Sequence, residues 1–114
     1  MTTAPELGRR YAVMPLVLIL DDPWSASLIF KELDPDTEAY AATAWPSAPV
    51  LELPDTTNVT AVLSPDEATS TTDSEATWSL TEDQVNALAP HNGDSYRIAI
   101  DGETVVRGEI ECLP

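Results

Sequence analysis

The segment Thr77 to Gly108, TWSLTEDQVNALAPHNGDSYRIAIDGETVVRG, constrains the fold more than any other part of the chain. Ala76, Trp78 and Leu80 alternate with polar residues, the period of a half-buried strand. Thr81 then offers a hydroxyl to cap a helix, and Glu82 and Asp83 place acid at the positive end of its dipole. Val85 and Leu88 share one face, and Pro90 stops the helix. Asn92-Gly93 breaks the chain, and a β-hairpin folds at Asp101-Gly102. Strand, short helix, loop and hairpin form a scaffold whose local signals agree, and nothing in the segment resembles a catalytic motif.

The hairpin carries a register argument. Tyr96, Ile98 and Ile100 share one face, and the return strand offers Val106 and Ile110 with Gly108 between them. A two-residue loop pairs Ile98 with Val105 or Arg107. A three-residue loop, Asp101 to Glu103, pairs Ile98 with Val106 and Tyr96 with Gly108, gathering every large apolar side chain on one face. We therefore expect the three-residue loop, with Gly108 leaving room for the Tyr96 ring. Arg97 and Arg107 then meet on the solvent face, an awkward pair unless Glu109 lies diagonally alongside.

The rest of the chain has the same grammar. Tyr11 to Leu20 reads as a strand covered on both sides, ended by the turn Asp21-Asp22-Pro23. Ser25 to Leu33 alternates, with Ala26, Leu28 and Phe30 on one face, and is expected to pair back onto the first strand. Asp34-Pro35-Asp36 is a turn. Glu38 to Trp45 reads equally as a helix or a covering loop. Val50 to Leu53 and Val59 to Leu63 alternate as short strands, the latter with Val59, Ala61 and Leu63 on one side. Ser64 to Glu75 lacks apolar periodicity and reads as a solvated loop. Six to eight short strands with regular turns and ten prolines describe an all-β, antiparallel sandwich with one short helix near residues 81–88. The expected organisation is a flexible arm over residues 1–10 and a single β-sandwich domain over 11–114.

Composition narrows the function classes. Five basic against twenty acidic residues leave a formal charge of -15, which argues against a phosphate-binding surface and so against nucleic acid. Met14 to Leu20 is the most apolar run, too short for a membrane span, and a buried strand suits it better than a signal peptide. The lone Cys112 forms no internal disulfide and follows the acidic residues Glu109 and Glu111, unlike a reactive thiol in a basic neighbourhood. His91 is the only histidine and stands in a loop without a nucleophile motif. Asp34-Pro35-Asp36 and Asp66-Glu67 do not fit a calcium loop, zinc ligands are too few, and no glycine-rich phosphate loop occurs. The chain is read as non-enzymatic, with no catalytic residues, no cofactor and no metal. Trp78 reads as core and Trp24 as core or rim. Trp45, before a proline, is the tryptophan expected at an exposed contact. Candidate contact residues are Arg9 and Arg10, the only adjacent basic pair, with Tyr40 and Trp45.

Two stretches resemble one family. Leu16 to Phe30, LVLILDDPWSASLIF, resembles the opening of the small β-sandwich domains of actinobacteriophage virion proteins known as LtfC-like. TWSLTEDQVNALAP and YRIAIDGETVVRGEI resemble the closing half of that domain, and also the amino-terminal domains of phage baseplate upper proteins. The order of the motifs carries the resemblance, which covers about two thirds of the chain and leaves out Pro35 to Asp73. It implies an Ig-like sandwich and a structural role in the virion, as a capsid decoration, head–tail or tail component in a symmetric assembly. The implied partners are other phage structural proteins and copies of this chain. The alternatives are a carbohydrate- or receptor-binding module using Trp45 and Tyr40 on a host surface glycan, and an enzyme or inhibitor acting on a host protein.

Overall fold

The computed structural model describes residues 12–54 and 57–114. The arm expected over residues 1–10, with Arg9 and Arg10, lies outside the described residues. In chain order the strands are β1 (Ala12–Val13), β2 (Leu16–Ile19), β3 (Trp24–Ile29), β4 (Lys31–Asp34), β5 (Ala39–Ala42), β6 (Val50–Glu52), β7 (Asn58–Thr60) and β8 (Val62–Ser64). They continue with β9 (Glu75–Leu80), β10 (Ser95–Ile100) and β11 (Glu103–Leu113). Helix α1 (Glu82–Ala87) and a 3-10 turn (Ala89–His91) join β9 to β10.

The fold is all-β and sandwich-like. One sheet has the order β1-β11-β10-β6-β7, with β2 also pairing with β11, and the other has the order β3-β9-β8. The β4–β5 pair forms a separate ribbon. Leaving the ribbon aside, the described strands divide into one sheet of six and one of three. Pairing is antiparallel throughout the described residues except at the first edge, where β1 and β2 run parallel to β11.

The two sheets enclose one core. Leu18, Leu51, Trp78, Leu80, Val85, Leu88 and Ile110 are fully buried in it. Trp78 and Leu80 come from the alternating face predicted for β9, and the Trp78 indole N–H donates to the Pro49 carbonyl at 3.2 Å. That bond satisfies the one polar group of a side chain whose truncation to alanine costs about 3–5 kcal/mol in a core. Helix α1 is capped reciprocally: Gln84 N–H donates to Thr81 Oγ1 at 3.2 Å, and Thr81 N–H donates to Gln84 Oε1 at 2.8 Å. So short a helix is unstable alone; the cap and the burial of Val85 and Leu88 under the sandwich hold it.

Several expectations are corrected. The first strand is broken at Met14-Pro15, because proline brings no N–H to the ladder. β3 pairs with β9 in register Trp24↔Leu80 to Ile29↔Glu75, not with β2. The Asp21–Pro23 turn carries the chain across the core to the opposite sheet. There β2 and β3 face each other through their apolar sides, and β2 spends its hydrogen bonds on β11. Ala39–Ala42 is a strand, neither helix nor loop, since β4 offers a full ladder while a helix of that length has no stabilising neighbour. The run Val59 to Leu63 has the predicted inward side, yet it splits at Ala61 into β7 in one sheet and β8 in the other. Ala61 N–H donates instead to the Pro49 carbonyl at 2.9 Å.

The hairpin is partly as expected. Ile98 pairs with Val106, Arg97 with Arg107, and Tyr96 with Gly108. The loop, however, has two residues, because Ile100 pairs with Glu103. Asp101 (φ 50°) and Gly102 (φ 85°) are both left-handed, as a two-residue hairpin turn requires. A bulge between Ile98 and Ala99 absorbs Val105 and restores the register that keeps Ile98 and Val106 inward. The role of Gly108 also differs. A Cβ there would collide with the backbone carbonyl of Met14, and would lie only 3.2 Å from the Tyr96 ring. The glycine therefore serves the close approach of the first edge strand more than the ring.

Candidate functional site

The ribbon β4–β5 brings two of the sequence candidates, Tyr40 and Trp45, into one structural unit. Both faces of the ribbon are largely exposed, unlike the strands of the sandwich. Leu33 and Tyr40 are directly opposite each other, 53% and 70% exposed. A two-stranded ribbon is marginal in water by itself, so its stability has to come from its root.

The root is well built. Phe30 stacks on Trp45 with ring centroids 4.8 Å apart. Phe30 N–H donates to the Ser74 carbonyl, Thr43 N–H to the Phe30 carbonyl, and Trp45 N–H to the Asp73 carbonyl, each at 2.9 Å. Trp45 is 8% exposed, which corrects the expectation of an exposed contact residue. Its partner Phe30 leaves β3 just before the ribbon begins, and the stack covers the end of the sandwich. The Trp45 indole Nε1 has no hydrogen-bond partner among the described residues.

Ser74, which grips the root together with Asp73, is itself held by Asp66. Its carboxylate accepts from the Ser74 hydroxyl at 2.6 Å, the Thr69 hydroxyl at 2.6 Å, and the backbone N–H groups of Thr69 at 2.8 Å and Thr71 at 3.2 Å. The Ser74 and Thr69 bonds hold the carboxyl well below the usual carboxylate range, outweighing the opposing effect of burial. The solvated loop expected over Ser64 to Glu75 is thus organised around a buried acid and the fully buried Ser74. Between this loop and the ribbon lies a shallow groove of about 420 Å³, lined by Ile29, Lys31, Tyr40, Ala42, Ala68 and Thr69 among others.

The remaining candidates are dispersed. His91 Nδ1 lies 2.9 Å from Asp94 Oδ2, a local contact on an exposed loop. The Cys112 thiol donates to the Leu88 carbonyl at 3.6 Å, and burial pushes its pKa up, away from reactivity. No group of three or more metal-ligating side chains occurs among the described residues. Arg97 grips Glu52 of the neighbouring β6 with two bonds, Nε to Oε1 at 2.9 Å and Nη2 to Oε2 at 3.2 Å. Glu52 thereby offsets the charge of Arg97, on the strand next to Arg107.

Sequence reading missed the exposure of Leu33 opposite Tyr40 and the organising role of Asp66. Leu33 acquires meaning only when Tyr40 is seen across the ladder. The signal for Asp66 was present in the Thr69, Thr71 and Ser74 hydroxyls that follow it, the composition of a carboxylate-centred turn. No family model matches the chain, and no curated protein matches it in sequence, so the functional reading rests on the residues and geometry described above.

Proposed function

We propose that this chain is a non-enzymatic structural protein of a bacteriophage particle, located in the virion and acting through protein–protein packing in a symmetric assembly. The observation that carries this reading is the ribbon: an exposed apolar pair, Leu33 and Tyr40, presented on a rigidly rooted projection from a closed sandwich. An aromatic anchor on a pre-ordered element binds with little ordering cost, which suits assembly contacts. The motif order of Leu16 to Phe30 and of Thr77 to Ile110 supports the phage assignment. Arg9 and Arg10 would dock against an acidic neighbouring subunit, and the strongly acidic body would avoid sticking to nucleic acid.

Mass spectrometry of purified virions tests the reading. The expected result is this chain in stoichiometric amounts relative to the other structural proteins; its absence from intact particles overturns the proposal. The burial of Trp45 removes one of the two aromatics on which a glycan platform would have been built, leaving Tyr40 alone at the surface.

A further inference from the structure

We infer that the acidic β4–β5 ribbon receives the basic arm, residues 1–11, of a second copy of this chain. The inference rests on the structural-subunit reading and names the contact that would join copies. Charge is the first argument. The ribbon carries four carboxylates against one basic residue: Glu32 and Asp34 on the face opposite the exposed Leu33–Tyr40 pair, Asp36 and Glu38 in the turn, and Lys31 on the face of the pair. From Ala12 onward the only basic residues are Lys31, Arg97 and Arg107, and Arg97 is already gripped by Glu52. Two bodies of this composition carry the same strongly negative net charge and repel each other at long range. The arm supplies the only adjacent basic pair, Arg9-Arg10, and flanks it with Leu7 and Tyr11. Arginines flanked by apolar anchors match a ribbon that offers an apolar pair on one face and carboxylates on the other face and at its turn.

Reach is the second argument. Eleven extended residues span up to about 36 Å beyond Ala12, enough to leave one body and lie along a twelve-residue ribbon of the next. Arm and ribbon are different surfaces, so the contact is head-to-tail. Such a contact builds a ring when its rotation closes and a filament when it does not.

Charge exchange in the full chain tests this directly, with self-association read by sedimentation velocity at low and high salt. Arg9→Glu with Arg10→Glu is expected to weaken association on the order of tenfold or more, as is Glu32→Lys with Glu38→Lys. All four substitutions in one chain restore it, and salt weakens the wild type. Leu33→Ser with Tyr40→Ser weakens association without rescue by any charge change. In parallel, a synthetic peptide of residues 1–12 added to ¹⁵N-labelled full chain shifts the amides of residues 31–42. Circular dichroism confirms that each variant is folded; the altered side chains of the ribbon are exposed. The inference is overturned if the wild type stays monomeric at every concentration, if association ignores the charge reversals, if the fourfold exchange fails to restore it, or if the peptide shifts map elsewhere. A monomer whose own arm occupies its ribbon overturns the second-copy assignment. Absence from virions would sink the structural role while leaving this contact measurable, so the two failures are distinct.

Discussion

Replacing Gly108 with alanine sets local propensity against tertiary structure, and the two disagree in sign. Glycine inside a strand is normally worse than alanine by about 0.5–1 kcal/mol, so propensity alone expects a gain. The structure expects a loss. The new Cβ meets the Met14 backbone carbonyl, which cannot rotate away as a side chain tip would. The edge segment must leave, breaking the Met14 N–H bond to the Arg107 carbonyl at 3.0 Å and the Tyr96 hydroxyl bond to the Met14 carbonyl at 2.6 Å. At about 1 kcal/mol per bond, with a further desolvation cost for the stranded Tyr96 hydroxyl, the loss is about 2–4 kcal/mol. Urea unfolding followed by tryptophan fluorescence should show a lower midpoint with little change in slope. Hydrogen exchange should show lost protection at Val13 and Met14. Tyr96→Phe supplies the internal check: it should cost about 1 kcal/mol in the wild type and almost nothing once Gly108→Ala has displaced Met14. A Gly108→Ala variant as stable as the wild type, or strictly additive effects of the two substitutions, would refute the argument.

Other positions make smaller claims. Thr81→Ala removes half of a reciprocal cap and should cost about 1 kcal/mol by urea titration, with Gln84→Ala costing less. Trp45→Phe should stay within about 1 kcal/mol of wild type, because it keeps the stack on Phe30 and discards an unpartnered indole N–H; Trp45→Ala should cost about 3–5 kcal/mol. Asp66 is bound more tightly as a carboxylate in the folded state than in the unfolded chain, so its contribution is complete above the ordinary value of 3.8. That contribution is lost as pH falls below 3.8 toward the folded-state value. Asp66→Asn should lower stability at neutral pH and flatten the acid limb of the stability curve; an unchanged acid limb would remove Asp66 from the account.

What the sequence by itself determined is mostly local. The period of Ala76, Trp78 and Leu80, the Thr81 cap, the stop at Pro90 and the Asp101-Gly102 turn each depend on neighbours within a few residues. All of them stand in the structure except the length of the turn, which has two residues where three, Asp101 to Glu103, were expected. Even the inward facing of Ile98 opposite Val106 was legible, because burying both side chains admits one register; the bulge that achieves it was not. Tertiary structure decided what required knowing a distant partner. Whether Ser25 to Ile29 pairs with β2 or with β9 turns on which edge is vacant, and alternation is identical in both cases. Ala39 to Ala42 became a strand because β4 lay beside it, and Tyr40 came to stand exposed opposite Leu33 on the ribbon for the same reason. Trp45 went inward because Phe30 offered a ring to stack on. Side-chain periodicity reports which face is apolar; only the folded chain reports what that face meets.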